Sequence, residues 1–486
     1  MEGADPGSGL HETAPIRWDT RGARPVPLRI LLVRHGLSSF NKERRIQGRD
    51  DLSTLSEEGV QQARRTGNAL SDVPLKAIYS SPLQRARETA ALLLEAHGSP
   101  QDPLHVEELL EIDLAPWSGL RREDLLLHAP EQERRWREAP ETLELEHPDG
   151  RRYHPLLELM DQAGCFADRL LADHLDSLEA AGTETVLVVA HNAILRCLML
   201  QLLGLPVARF RRLRLDNAAL SVLNISRTAD GELDVQIESH NGTAHLEEAL
   251  PPKGAGPRLL LVRHGETDWN RQGRFQGQID IPLNANGLAQ AEAARNFLAD
   301  VPIQRAYTST MARPRQTAEV ILRSHPSVPL TSSRGLMEIG HGLWEGCLEQ
   351  DIAEGWPQLL RDWKRAPETV QMPEGETIQQ VWNRSLATWN HIVAGLDSGE
   401  TALVVAHDAV NKTILCALLG LTPADIWAVK QGNGGVTVID LPHRGSRPSR
   451  GGLPQPHRPP WGSSRPHRSR RPLNFPRCPP PFCCGK

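Results

Sequence analysis

The chain has 486 residues, about three times a typical domain length, so more than one domain is expected. Hydrophobic residues make up 39% and charged residues 24%, a composition that excludes a largely disordered chain. No apolar run approaches the roughly 18 residues that suggest a membrane span, and residues 1–15 resemble neither a signal peptide nor a transit peptide. The seven cysteines contain no CxxC pair, which is typical of a reducing compartment. We therefore predict a cytoplasmic protein without membrane partners.

The charge is unevenly distributed along the chain. Residues 443–486 carry ten Lys and Arg and no acid, whereas the rest carries 45 basic and 60 acidic residues, which is a net charge of −15. An acidic body is a poor surface for nucleic acid, so we predict no nucleic-acid partner. Any binding of phosphate compounds must then depend on a local cluster of positive charge.

The body of the chain contains one sequence repeated in the same order. Five pairs of segments match: 28–41 with 257–270, 45–59 with 274–287, 77–94 with 306–322, 109–119 with 336–346, and 186–205 with 402–421. Such ordered self-similarity indicates two copies of one domain. The chain is therefore predicted to comprise a disordered N-terminus, the first copy, a linker, the second copy, and a Pro/Arg-rich disordered tail, at residues 1–27, 28–228, 229–256, 257–441 and 442–486.

Within each copy, short apolar runs alternate with helical patterns. In chain order the runs are LRILLV, KAIYS and ETVLVV in the first copy, and RLLLV, IQRAYT and TALVV in the second. Runs of this kind suit strands that are buried on both faces. The alternation predicts two tandem α/β/α sandwich domains with mainly parallel central sheets. The spacing of Thr54 and Glu57 suggests a helix capping box, and Gly98 is predicted to end a helix.

The two copies differ in length at one place. The first copy has about eleven more residues between its repeated Glu and its second repeated His. We place this insertion around residues 147–160, a polar stretch that we interpret as a loop. Its Arg151 and Arg152 either bind a second anionic group of a ligand or belong to a solvated loop.

Five ionisable residues of each copy fall at or just beyond predicted strand ends. They are Arg34, His35, Arg85, Glu111 and His191 in the first copy, and Arg263, His264, Arg313, Glu338 and His407 in the second. The carboxyl ends of parallel strands form the ligand crevice of such sheets. We therefore expect two Arg, two His and one Glu to meet there in each copy.

This set of groups suits phosphoryl transfer. Two guanidinium groups can hold a tetrahedral dianion, and a neutral imidazole can act as the nucleophile at phosphorus. A carboxylic acid can protonate the leaving alkoxide. The sequence has no HExxH, DxDxDG or P-loop pattern, so we predict a reaction without a metal ion or cofactor.

The repeated blocks LLVRHGETDWN, TSTMARPRQTA, LMEIGHGLWEG and VVAHDA resemble the signature blocks of the histidine phosphatase superfamily, the phosphoglycerate mutase-like proteins. The tandem arrangement is also similar to two-domain plant and photosynthetic bacterial members. The resemblance implies that His35 and His264 are phosphorylated and that Glu111 and Glu338 donate protons. It further implies that the phosphoryl group is held by Arg34, Asn41, Arg85 and His191 in one copy and by Arg263, Asn270, Arg313 and His407 in the other.

Three functions remain open on the sequence. They are a phosphatase that acts on a small phosphorylated metabolite, a 2,3-bisphosphoglycerate-dependent phosphoglycerate mutase, and a non-catalytic module that binds a phosphorylated metabolite. The 80 and 69 residues that separate the Glu from the second His favour the phosphatase, because mutases of the family typically carry a longer insertion there. The substrate and the oligomeric state stay open.

The copies also differ beside the first histidine. The second copy has Glu266 after its RHG motif, as is usual in the family, whereas the first copy has Leu37. We hypothesise that both copies are chemically competent and that the first differs in its substrate choice.

Overall fold

The structure is a computed structural model that describes residues 27–176, 182–228, 230–246 and 250–443. The predictions for the N-terminus and for the Pro/Arg-rich tail lie almost entirely outside these residues. Contacts divide the described chain into two compact units. The first contains the residues up to Val235 and Ser239–Leu246, and the second contains Gln236–Glu238 and the residues from 250 onward.

The first copy forms a six-stranded sheet with the order β3-β2-β6-β1-β7-β8. Strand β1 pairs in parallel with β6, and β6 pairs in parallel with β2, whereas β7 runs antiparallel to β1. Its elements are β1 Leu28–Arg34, α1 Ser39–Lys42, α2 Glu57–Ala69, β2 Ala77–Ser80, α3 Gln84–His97, β3 Leu104–His105, α4 Arg122–His128, α5 Pro130–Glu138, β4 Leu145–Glu146, β5 Arg152–Tyr153, α6 Pro155–His174, β6 Glu184–Ala190, α7 Asn192–Leu202, β7 Leu220–Arg227 and β8 Leu233–Gly242.

The second copy forms a five-stranded sheet with the order β11-β10-β12-β9-β13. All neighbouring strands are parallel except β13, which runs antiparallel to β9. Its elements are β9 Arg258–Arg263, α8 Asp268–Gln272, α9 Ala285–Leu298, β10 Arg305–Ser309, α10 Ala312–Leu322, β11 Leu330–Ser333, α11 Glu349–Gly355, α12 Pro357–Arg365, α13 Ile378–Ala394, β12 Thr401–Ala406, α14 Asp408–Leu419 and β13 Val436–Asp440.

The apolar run of strand β9 is buried on both faces of the sheet. Leu259 and Leu261 pack into a core with residues of α13 and α14, whereas Leu260 and Val262 pack into a separate core with residues of α9 and α10. Because successive side chains point to opposite faces of a sheet, both faces must be covered by helices. The predicted α/β/α sandwich with a mainly parallel sheet is confirmed.

Three local predictions had different outcomes. Gly98 ends helix α3 with a φ of 80°, as predicted. The capping box at Thr54 is wrong, because Ser56 caps α2 by accepting from the backbone N–H of Gly59. The loop predicted at residues 147–160 holds only for the turn at 147–151 and is wrong beyond it, because β5 and the first turns of α6 occupy the rest. Pro155 occupies the first position of α6, where its fixed φ angle favours a helix, and buried residues recur about every four positions after it.

Among the helices of the described ranges, none is long and apolar enough to cross a membrane. Cytoplasmic localisation stays a prediction.

Candidate active site

The two repeated histidines of each copy lie side by side at the ends of neighbouring strands. Arg34 at the end of β1 is in register with Ala190 at the end of β6, so the residues that follow them, His35 and His191, become neighbours. Their ring centroids are 5.2 Å apart, and the corresponding rings of the second copy are also 5.2 Å apart. All four imidazoles are buried. The structure therefore brings the two histidines of each copy together at the sheet edge, as predicted.

The hydrogen bond of the first histidine determines its tautomer. Nδ1 of His35 lies 2.8 Å from the carbonyl oxygen of Gly36, and Nδ1 of His264 lies 2.7 Å from that of Gly265. A carbonyl oxygen only accepts, so Nδ1 carries the proton and Nε2 keeps its lone pair. Burial, reinforced by the neighbouring arginines, holds the pKa of both histidines well below 6.5. Each ring is therefore neutral at pH 7, with a nucleophilic Nε2.

The glycine of the RHG motif is required by a close approach of two backbone segments. A Cβ atom on Gly36 would lie 2.5 Å from the carbonyl oxygen of Gly59, and one on Gly265 would lie 2.3 Å from that of Gly287. Both distances are well below van der Waals contact. A larger residue would clash here, so the residue whose carbonyl accepts the histidine hydrogen bond must be glycine.

The second histidine presents its other nitrogen to the site. Nε2 of His191 lies 2.8 Å from Oγ of Ser81, and Nε2 of His407 lies 2.9 Å from Oγ of Ser309. Nδ1 of each ring is buried and has no hydrogen-bond partner within the described residues. A serine hydroxyl that donates to Nε2 leaves the proton on Nδ1. That tautomer can donate a hydrogen bond to a bound anion.

Arg85 is fully buried beneath the histidines, near the start of α3. Its two terminal amino groups donate to the carbonyl oxygens of Gly48 and Asp50, both at 2.9 Å, which fixes the guanidinium plane. The buried Nε has no partner in the described chain. In the second copy, Nε of Arg313 donates to Nε2 of His264 at 3.2 Å. The arginine therefore faces the atom that would carry a phosphoryl group.

The arginine that precedes the first histidine differs between the copies. Arg34 donates to the carbonyl oxygen of Leu215 at 2.8 Å, and no acidic group of the described residues lies within ion-pair distance. Burial lowers its pKa to about 10, so it is still protonated at pH 7. Arg263 instead lies 3.3 Å from the carboxylate of Asp408. Only the second copy therefore supplies its own counter-ion here.

The repeated asparagine is oriented by neighbouring donors. Oδ1 of Asn41 accepts from the hydroxyl of Ser38 and from Nδ2 of Asn217, both at 3.0 Å. Asn270 accepts from Thr267 at 3.1 Å and from Asn433 at 3.3 Å. The amide NH2 group is then the end that can donate to a ligand. Our sequence analysis missed Asn217 and Asn433, which lie in turns just before β7 and β13.

The repeated glutamate is held beside the second histidine by backbone amides. Oε1 of Glu111 accepts from the N–H groups of Ile112 at 2.9 Å and Ala193 at 3.1 Å. In the second copy, Oε1 of Glu338 accepts from Ile339 at 3.0 Å and from Ala409 at 3.2 Å. Burial raises the pKa of Glu338, and the charge of Asp408 raises it further. That direction favours the protonated acid.

A cleft of about 180 Å³ opens over these groups in the first copy. It brings together four of the predicted residues, namely Arg34, His35, Asn41 and Glu111. Arg85 and His191 lie beneath them rather than in the lining. The cleft is also lined by residues that our sequence analysis missed, including Arg45, Gln47, Trp136, Asn192, Arg196, Phe210 and Arg211.

Arg151 and Arg152 do not belong to this cleft. They lie on the exposed β4–β5 hairpin, where Arg151 pairs with Glu158 at 3.1 Å and Arg152 lies 3.3 Å from Glu146. Their solvated interpretation is therefore the one that the structure supports.

No group of three or more His, Cys, Asp or Glu in the described ranges is arranged to hold a metal ion. Independence of metal ions and cofactors stays a prediction.

Comparisons with known proteins agree with this geometry. The histidine phosphatase superfamily (branch 1) matches residues 30–234 and 259–451. The chain is 27% identical over 439 residues to 2-carboxy-D-arabinitol-1-phosphatase of Triticum aestivum. The aligned region covers 85% of this chain and 83% of that protein.

Two further relatives match a single copy. Phosphoserine phosphatase 1 of Hydrogenobacter thermophilus is 31% identical and covers 38% of this chain and 88% of its own length. The 2,3-bisphosphoglycerate-dependent phosphoglycerate mutase 2 of Gloeobacter violaceus is 33% identical and covers 35% of this chain and 80% of its own length. The two family matches together span most of the sequence. The chain belongs to the histidine phosphatase superfamily, with one phosphatase-type domain in each copy of the repeat.

Proposed function

We propose that each copy hydrolyses a small phosphomonoester through a phosphohistidine, without a metal ion. The observation that carries this proposal is the fixed tautomer of His35 and His264. A buried neutral ring with its Nδ1 proton bound to a carbonyl oxygen has only Nε2 left to react. The surrounding arginines favour a phosphoryl dianion at that atom.

In the first step, Nε2 of His35 attacks phosphorus and the bond from phosphorus to the ester oxygen breaks. Arg34, Arg85 and Nδ1 of His191 stabilise the charge on the phosphoryl oxygens. Glu111 gives its proton to the departing alkoxide, which leaves as an alcohol. His264, Arg313 and Glu338 have the same roles in the second copy.

In the second step, water replaces the alcohol in the cleft. Glu111, now ionised, takes a proton from the water as its oxygen attacks phosphorus. The phosphorus–nitrogen bond breaks, inorganic phosphate leaves, and His35 returns to its neutral form. One buried carboxyl thus serves as acid and then as base. In the second copy, burial and the charge of Asp408 raise the pKa of Glu338, which favours this double role.

The share of the chain that is similar to a phosphatase favours hydrolysis over mutase activity. The wheat phosphatase is similar across both copies, whereas the mutase of Gloeobacter violaceus is similar to one. The wheat protein makes 2-carboxy-D-arabinitol 1-phosphate a candidate substrate. O-phosphoserine and 3-phosphoglycerate are further candidates from the single-copy relatives.

The nucleophiles can be tested with His35→Ala, His264→Ala and the double substitution. Each single variant is expected to retain the activity of the other copy, and the double variant to lose at least about 10³-fold. Rapid acid quench with a ³²P-labelled substrate should trap acid-labile, base-stable label in the wild type and none in the double variant. Label on serine or aspartate, or an active double variant, would refute the proposal.

The mutase alternative needs its own assay. Release of phosphate from 3-phosphoglycerate is compared with formation of 2-phosphoglycerate, each with and without 2,3-bisphosphoglycerate. We expect phosphate release to dominate in both conditions. Isomerisation that exceeds phosphate release would replace the phosphatase with a mutase.

A further inference from the structure

The cleft of the first copy holds more positive charge than a phosphoryl group needs. Its lining contains four arginines and a single acid, Glu111. Arg34 adjoins the nucleophile, and Arg45 is already paired with Glu43 at 2.5 Å. Arg196 and Arg211 then remain without a task in the proposed reaction.

Arg196 lies one turn into α7, on the helix that follows His191. Its Nε is buried without a hydrogen-bond partner, and within the described ranges no acidic side chain forms an ion pair with it. Its guanidinium lies over the ring of Phe210, 5.2 Å from the ring centroid. Burial, together with the charges of Arg34 and Arg211, lowers its pKa to about 10. The group is thus a cation at pH 7 without an ion-pair partner among the described residues, and Glu111 is the carboxylate whose charge acts on it.

Arg211 is held on the same aromatic wall. Its guanidinium lies 5.1 Å from the ring centroid of Trp136 and donates to the carbonyl oxygen of that residue. The rings of Trp136 and Phe210 are 6.1 Å apart. Stacking occupies the face of a guanidinium and leaves N–H groups on its edge, which is the geometry that binds a carboxylate or phosphate.

The second copy has an internal anion at the corresponding place. The offset from His191 to His407 aligns Asn192 with Asp408 and Arg196 with Lys412. The Asp408 carboxylate lies 2.7 Å from Nζ of Lys412 and 3.3 Å from Arg263. A carboxylate that bridges the strand-end arginine and the helix cation is therefore compatible with this fold. The first copy has a neutral Asn192 instead.

We propose that the cleft of the first copy binds phosphomonoesters that carry a second anionic group, and that Arg196 and Arg211 bind that group. This specificity rests on the proposed phosphatase function. In the second copy, Asp408 neutralises the equivalent cation, so that cleft does not select for a second negative charge. The two copies would then hydrolyse different classes of phosphomonoester.

Two matched substrate pairs test the selectivity in the full chain. They are glycerol 3-phosphate with 3-phosphoglycerate, and glucose 6-phosphate with 6-phosphogluconate. His264→Ala isolates the first copy, and His35→Ala isolates the second. In the first copy we expect the acidic member of at least one pair to have a kcat/KM about tenfold or more higher, mainly through KM. Equal values for both pairs in the first copy would overturn the proposal. Glycerol 1,3-bisphosphate distinguishes a second phosphate from a carboxylate.

Variants of the first copy test the residues. In the His264→Ala background, Arg196→Met should bring the ratio within each pair close to one, and Arg196→Lys should restore part of it. Asn192→Asp copies Asp408 into the first copy and should reduce the ratio without removing a side chain from α7. The corresponding substitution in the second copy, Lys412→Met, is the matched control for Arg196→Met. An unchanged ratio in both Arg196→Met and Asn192→Asp would overturn the assignment.

Binding distinguishes this proposal from the phosphatase function. In the His35→Ala/His264→Ala chain, calorimetric titration with 3-phosphoglycerate and glycerol 3-phosphate measures affinity without turnover. A preference for the acid that Asn192→Asp removes would support the subsite even if hydrolysis fails. Equal affinities before and after that substitution would refute the subsite even if hydrolysis succeeds.

Discussion

The two copies of the domain share their reactive groups and differ in how the charges around them are balanced. Both have a neutral histidine fixed by the following glycine and a glutamate held by backbone amides. Within the part of the chain that the structure describes, only the second copy pairs its strand-end arginine with an acid, Asp408, which also contacts Lys412. The first copy leaves Arg34 and Arg196 without such a partner.

This difference follows from where the groups lie. The two histidines of each copy directly follow strand ends, where the register of β1 with β6, or of β9 with β12, fixes their positions. The charge that differs lies at the first residue of the next helix, Asn192 in one copy and Asp408 in the other, where a substitution changes the pocket without changing the sheet. In the mechanism proposed here, duplication preserves the reaction while the clefts diverge in the anions they accept.

The largest effect that would sharpen the comparison is expected from Glu111→Gln and Glu338→Gln. Each should lower kcat/KM, which depends only on the steps up to the phosphohistidine, for an alkyl phosphate by about 10²- to 10⁴-fold in the copy that carries it, because the alkoxide then leaves without a proton. The loss should be much smaller for p-nitrophenyl phosphate, whose leaving group needs little protonation. Steady-state kinetics in the His264→Ala and His35→Ala backgrounds measure each copy. Equal losses for both substrates would exclude a proton donor.

The pH profile of the second copy follows from the same residues. Its nucleophile must be neutral, and the pKa of His264 lies well below 6.5, so activity should persist well below pH 6.5. Its proton donor must be protonated, and the pKa of Glu338 is raised above 4.5, so activity should fall as pH rises through that raised value. The profile of kcat/KM should therefore be a bell between these two values. An acidic limb at pH 6.5 would contradict it.

The next largest effect is expected from Arg85→Met and Arg313→Met. Each should reduce kcat/KM of its own copy by about 10²-fold, because a preorganised donor to the phosphoryl oxygens is lost. Arg87 and Arg315 lie two residues further along the same helices with exposed side chains, so Arg87→Met and Arg315→Met are matched controls. Thermal unfolding of all four variants separates lost chemistry from lost folding. Equal losses in the variants and their controls would contradict the role.

The sequence was sufficient to predict which histidines lie together, because their positions depend on a simple pattern. An apolar run followed by Arg-His-Gly or by His predicts a strand end, and two such ends of parallel strands must meet at one edge. The repeat then gave an independent second instance of every residue. His35, Glu111 and His191 could therefore be brought together before any contact was known.

The charge balance of the clefts could not be predicted in the same way. Arg196 stands in an apolar helical segment, and its environment depends on Phe210 and Trp136, which come from distant parts of the chain. Sequence spacing does not show that Asp408 turns toward Arg263. For the same reason the sequence left open whether Arg151 and Arg152 bind a second anion or belong to a solvated loop, because their acidic partners could not be identified from it.

A smaller effect is expected from Asp408→Asn, which makes the second copy resemble the first. The charge of Asp408 raises the pKa of Glu338, so its removal should lower that pKa and move the descending limb of the pH profile to lower pH. It should also release Lys412 and Arg263 and raise the selectivity for 3-phosphoglycerate over glycerol 3-phosphate severalfold. Both are measured in the His35→Ala background. An unmoved limb would mean that Asp408 does not influence the proton donor.

The smallest effect is expected from Arg151→Ala and Arg152→Ala, which test whether the hairpin contributes to the difference between the copies. Their side chains are 51% and 71% exposed, and their partners are exposed carboxylates. Such pairs stabilise a fold by at most about 1 kcal/mol, because water screens the charges. Urea unfolding should therefore change little, and kcat/KM for 3-phosphoglycerate in the His264→Ala background should stay the same. A tenfold loss for this substrate alone would move the second anion site from Arg196 to the hairpin, since only a bound carboxylate could make these solvated arginines selective.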